Sequence, residues 1–193
     1  MTRDPMTRPV RKPRPLKTFW RDDRGVSAVE FALIAPVLIF MYCGMAELTQ
    51  MMMAQRRLSN TASAVGDLVA QSGQYGPTKM GDTFMIAGVI MAPFPTANLK
   101  TCVASIVSDD KGKDTVAWSK QSVANMDECP KEKTQVTDVA VGVLPPSQSV
   151  IMARVIYSYT SPIKLFLPKP INFARTYYLR PRKSDTVLWN ENN

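Results

Sequence analysis

The chain has 193 residues, 45% of them hydrophobic, a formal net charge of +8, three cysteines and no histidine. Without histidine, Ser-His-Asp and Cys-His catalysis and the usual zinc sites are excluded; no phosphate-cradling glycine loop, paired C-x-x-C or calcium-loop pattern nominates another reaction, cofactor or metal. The length suits one compact domain of about 140 residues plus a leader and an anchor.

The excess charge is concentrated at the start. Arg3, Arg8, Arg11, Lys12, Arg14, Lys17, Arg21 and Arg24 stand against Asp4, Asp22 and Asp23, so residues 1–24 carry +5 of the +8. Pro5, Pro9, Pro13 and Pro15 deny this leader a regular helix over most of its length. A basic tail attracts nucleic acid, but this one has no recognition fold, and no nucleic-acid partner is expected. Its position just before an apolar run fits the positive-inside rule, with the N-terminus cytoplasmic and the rest of the chain external.

From Phe31 to Ala46 no side chain is charged. Counted from Val26, the run gives roughly 31 Å of helix at ~1.5 Å per residue, long enough to cross a bilayer. Glu30 is the exception, and a carboxylate in an apolar helix is costly unless it reaches the interface or a partner. It either pairs with Arg24 at the cytoplasmic interface of an uncleaved anchor or serves an assembly. Its spacing is specific: Gly25, four small or apolar residues, Glu30, Phe31, and then Pro36 six residues after the glutamate.

The string G-V-S-A-V-E-F-A-L-I-A-P resembles a class III prepilin signal, and more narrowly that of the TadE-like pseudopilins of the tight-adherence (Flp) type IVb pilus system. The resemblance implies that prepilin peptidase removes a basic leader, residues 1–25, by cutting between Gly25 and Val26. Glu30 then occupies the fifth position of the mature chain as its assembly carboxylate. Implied partners are that peptidase, other pseudopilins and the pilus platform proteins. Electrostatics agrees: the α-amine freed at Val26 of one subunit can neutralise Glu30 of a neighbour in apolar surroundings.

The helix is predicted to continue past the membrane. Leu48, Met51, Gln55, Leu58, Ala62, Val65 and Val69 recur at intervals of three and four, one apolar seam, with Glu47, Arg56 and Arg57 off it. The pattern predicts a helix from near Ser27 to about Ser72, residues 26–47 in the membrane and 48–72 outside it, stopping at Gly73. Met51, Met52 and Met53 invite a copper reading, but three adjacent methionines point around a helix and converge poorly. Packing at an interface is the better use.

Residues 73–193 read as an α+β ectodomain. A short helix from Asp82, its cap, to Ile90 presents Phe84, Ile86, Val89 and Ile90, and Met91–Pro95 forces an extended exit. Strands follow at 100–109, with Cys102, Ala104 and Ile106 on one face, at 113–120 after a turn, at 150–161 in a central position, and at 171–182. The 121–148 segment is a proline-interrupted loop. The connection SPIKLFLPKP has an apolar tip of Ile163, Leu165, Phe166 and Leu167 that packs on the helix or contacts another subunit or the membrane surface. The last two strands, with Arg180 and Arg182 after them, loosely resemble the C-terminal half of TadE-like proteins. The expected fold is a long N-terminal transmembrane helix continuing into a small domain with a mostly antiparallel sheet of about four strands, the helix on one face.

Cys102 and Cys129 fall on the side expected to be oxidising. A disulfide between them would close a loop worth about 3 to 4 kcal/mol in the chain-entropy model; the alternative is two free thiols. Cys43 is a small apolar residue within the span. The expected role is a minor pseudopilin in pilus assembly, initiation or tip structure, not an enzyme, with no cofactor or small-molecule substrate. The alternatives are an uncleaved single-pass protein of the cytoplasmic membrane whose external domain binds an envelope partner, and, behind it, an anchored enzyme. The expected location is the inner membrane, with the C-terminal domain periplasmic, then the pilus or cell surface after assembly.

Overall fold

The computed structural model describes residues 25–137, 139 and 142–192. The basic leader up to Arg24, and with it the expectation that it lacks regular structure, lies outside them. The chain divides into two compact units, one ending at Cys43 and the other starting at Gly44. The helix α1 (Val26–Ala70, 45 residues) contributes to both, close to its predicted bounds.

In the second unit, β1 (Gln74–Tyr75) leads into α2 (Pro77–Met91). This helix starts five residues before the predicted Asp82 cap. Pro77 takes the first helical position, where its missing N–H costs nothing and its fixed φ is already helical. Its buried stripe is Met80, Thr83, Ala87 and Met91, so the expected apolar face of Ile86 and Val89 is exposed. A cis Ala92-Pro93 bond and a short 3-10 turn at Thr96–Asn98 replace the extended exit.

The strands β2 (Leu99–Ser108), β3 (Asp114–Gln121), β4 (Ser149–Tyr159) and β5 (Ile171–Leu179) form one wholly antiparallel sheet in the order β3-β2-β4-β5. The central pair is in register from Leu99 opposite Tyr157 to Val107 opposite Ser149. A last strand, β6 (Leu188–Trp189), pairs in parallel with β1 in a ladder too short to be read from sequence.

Both faces of the sheet are covered, because its central strands are apolar at both phases of their alternation. On β4, Ile151, Ala153, Val155, Tyr157 and Tyr159 meet Ala54, Leu58, Ala62, Val65 and Val69 of α1 and Met80, Ala87 and Met91 of α2. The opposite phase, Val150 and Met152 with Cys102, Ala104 and Ile106 of β2, is covered by Met126, Val139 and Leu144 from the 122–148 segment. The helix approaches the sheet closely at Gly66, where a Cβ would meet Leu179 Cδ1 and lie 3.1 Å from Ala153 Cβ. The end of α1 is tied down by Arg182, whose backbone N–H donates to the Ala70 carbonyl at 2.8 Å and whose guanidinium pairs with Asp67.

Candidate functional site

The described part of the first unit is an exposed apolar helix. Phe31, Leu33, Ile34, Val37, Leu38 and Ile39 are all more than half exposed, and this is the described segment long and apolar enough to cross a membrane. Gly25 opens the helix with nothing within 4 Å of where a Cβ would stand. Val26 and Glu30 are exposed, and among the described residues the Glu30 carboxylate has no hydrogen-bond or ion-pair partner. Pro36 lies inside the helix, where it removes the N–H that would bond the carbonyl of Ala32.

The second unit contains a carboxylate that the apolar periodicity misassigns. Glu47, expected off the seam and inside the membrane part, is completely buried in the folded unit that begins at Gly44. Its Oε1 accepts from the Ser161 hydroxyl at 2.6 Å and the Leu165 N–H at 2.9 Å; its Oε2 accepts from the N–H groups of Phe166 at 2.7 Å and Leu167 at 3.2 Å. The connection between β4 and β5 is thus a backbone nest for an anion, with Lys164 in the left-handed region at φ 59° just before the three donors. Burial pushes the Glu47 pKa up, but the Ser161 hydroxyl and the Phe166, Leu165 and Leu167 N–H groups outweigh it and hold the carboxyl below its ordinary value.

The misassignment has a readable cause. Stepping back from Leu58 by three or four reaches Ala54 or Gln55, Met51, and then Glu47 or Leu48. Apolarity chose Gln55 and Leu48, whereas the fold buries Ala54 and Glu47 and leaves Leu48 half exposed. No side-chain pattern announces the nest, because three of its four donors are backbone groups.

The remaining candidates fall elsewhere. Cys102 and Cys129 are joined, with Cα atoms 5.6 Å apart, on the sheet face away from the helices. Met52 and Met53 are exposed, and among the described residues no group of three or more His, Cys, Asp or Glu side chains converges as metal ligands would. An open groove of about 860 Å³ beside α2 is lined by Met80, Phe84, Met126 and Trp189. Its Lys120 and Glu132 are paired at 3.1 Å, with the ammonium 4.5 Å from the Trp189 ring centroid.

Comparison with known families matches residues 25–67 to the model described as TadE-like protein. The matched stretch begins at the glycine before the helix and takes in Glu30, Phe31, Pro36 and Glu47. No curated protein and no solved structure matches the chain.

Proposed function

From a TadE-like segment at residues 25–67, we propose that the chain is a tight-adherence pilus component: a minor pseudopilin, made as a precursor and cut by prepilin peptidase after Gly25. The observation that carries the proposal is a coincidence of bounds. The family match begins at Gly25, α1 begins at Val26, and the exposed apolar run follows with a single carboxylate at Glu30.

In this mechanism the basic leader keeps the N-terminus cytoplasmic while the apolar run enters the inner membrane and the folded unit reaches the periplasm. Cleavage removes the leader and leaves a cationic amine on Val26. That amine and the carboxylate of Glu30 on a neighbouring subunit are each costly in an apolar medium and compensate one another when paired. Docking onto other pseudopilins or platform proteins therefore draws on a charge that the isolated helix leaves unpaired. The role is structural, not catalytic, and the folded unit is the part presented to the assembly.

Replacement of Glu30 by Ala tests this directly. Membrane insertion, followed by fractionation, should be unchanged, while pili counted by electron microscopy should be lost or strongly reduced. Normal piliation with Glu30→Ala would remove the charge-pairing step. Peptides from residues 100–182 recovered from sheared, purified pili would support incorporation into the filament; their confinement to the membrane fraction would support a platform role.

A further inference from the structure

The β4–β5 connection has a second property besides holding Glu47. Ile163, Leu165 and Phe166 are 44%, 43% and 54% exposed, although all are apolar. Between them stands Lys164 and just after them Lys169, and no acidic residue occurs anywhere from Thr160 to Asn172. The carboxylate that the loop holds, Glu47, is buried and its oxygens are occupied by the Ser161 hydroxyl and the three N–H groups.

The loop is also fixed in position. The nest fastens it to Glu47, and the Phe166 ring covers Gly44 so closely that a Cβ there would lie 2.7 Å from Cε2. Gly44 and Glu47 belong to the first turn of the folded unit, and they flank the end of the uncharged stretch of α1 at Ala46. A bilayer crossed by that stretch is left, along the chain, close to these two residues.

We infer that the 162–169 loop is a membrane-interface foot: Ile163, Leu165 and Phe166 enter the headgroup and acyl boundary while Lys164 and Lys169 pair with anionic phospholipid headgroups. The inference rests on the reading of the apolar run as a membrane span. Alternating apolar and basic residues are the composition that binds an anionic lipid surface, through buried apolar area and through ammonium–phosphate attraction together. A second copy fits this face less well. A two-fold contact would bring two lysines from each loop together with no acid on either loop to neutralise them. The carboxylate of Glu47 then sets where the foot stands, by holding the loop backbone while the exposed Ile163 and Leu165 side chains face lipid.

The test uses the full chain in vesicles of phosphatidylethanolamine and phosphatidylglycerol, with Cys43→Ser to clear the free thiol. Nitroxide labels are placed by Leu38→Cys in the apolar run, Leu165→Cys in the loop, and Val123→Cys on an equally exposed apolar position of the folded unit. Because the nest is made by backbone N–H groups, Leu165→Cys leaves it intact. Oxygen-to-nickel-chelate accessibility should be high at 38, several-fold higher at 165 than at 123, and should fall toward the value at 123 when Lys164→Glu and Lys169→Glu are added. A label at 165 as aqueous as that at 123, with 38 still deep, overturns the foot and leaves the span intact. An aqueous label at 38 as well overturns the span and the foot together. Dipolar broadening between labels at 165 overturns it in favour of a second copy.

Discussion

Glu30 and Glu47 lie on one helix, and their surroundings give them opposite uses. Glu30 is exposed with no partner among the described residues, so its charge is available to another molecule, whereas Glu47 is sealed inside its own fold by four hydrogen bonds. Substituting Glu47 should therefore affect folding before it affects assembly. In Glu47→Gln one carboxylate oxygen becomes an NH2 group that must face N–H donors, and in Glu47→Ala all four donors lose their acceptor. Both should lower the Tm of the full chain in detergent micelles, Ala more than Gln. The sign of the pH dependence follows from the lowered pKa. A carboxyl held below its unfolded value stabilises the fold above that unfolded value and ceases to do so as pH falls through the folded one. The Tm gap between the parent chain and Glu47→Gln should thus be widest near neutrality and narrow below the usual carboxylate range. A pH-independent gap would mean that the buried group is not ionised. At this scale Glu30 was legible in the sequence, because a charge five places after a glycine interrupts an apolar run. Glu47 was not, because three of its four partners are backbone groups and all four lie over a hundred residues away.

Among the elements, the junction of α1 with the sheet depends on the absence of a side chain. At Gly66 the space beyond Cα is taken by Leu179 and Ala153, so Gly66→Val must displace the Leu179 side chain or push the helix from the sheet. We expect a loss of about 1 to 3 kcal/mol, the usual cost of overpacking, read from the urea midpoint; an unchanged midpoint would mean that Leu179 yields freely. The opposite face depends on a covalent tie. Cys102 on β2 and Cys129 in the 122–148 segment hold a lid whose apolar residues, Met126, Val139 and Leu144, are scattered without period. Reduction or paired Cys→Ser substitution should cost up to about 3 to 4 kcal/mol and expose that face, measured as a lower urea midpoint and faster amide exchange in β2. The long helix, the four strands and the central position of β4 were legible from their periods. The lid was not, since proline-broken sequence carries no period, and α2 was misjudged because Asp82 resembles a cap while Pro77 marks the true start.

For the molecule as a whole, the sequence divides its tasks by region. Five of the eight net positive charges stand ahead of Gly25, a continuous exposed apolar surface runs through the helix that follows, and the disulfide and sheet lie in the unit that begins at Gly44. Residues 25–67 carry the family likeness, while the sheet lies outside that stretch and is understood through its own packing and surfaces. A membrane-inserted precursor and an assembly-competent subunit would share every residue from Val26 onward, so only the leader distinguishes them. The most direct measurement is the intact mass and N-terminal sequence of the protein recovered from cells that make pili. Processing at Gly25 predicts a chain that starts at Val26, and a Gly25→Leu variant that stays at precursor mass. A recovered chain that still carries Arg3 to Arg24 would contradict it and leave an uncleaved membrane anchor.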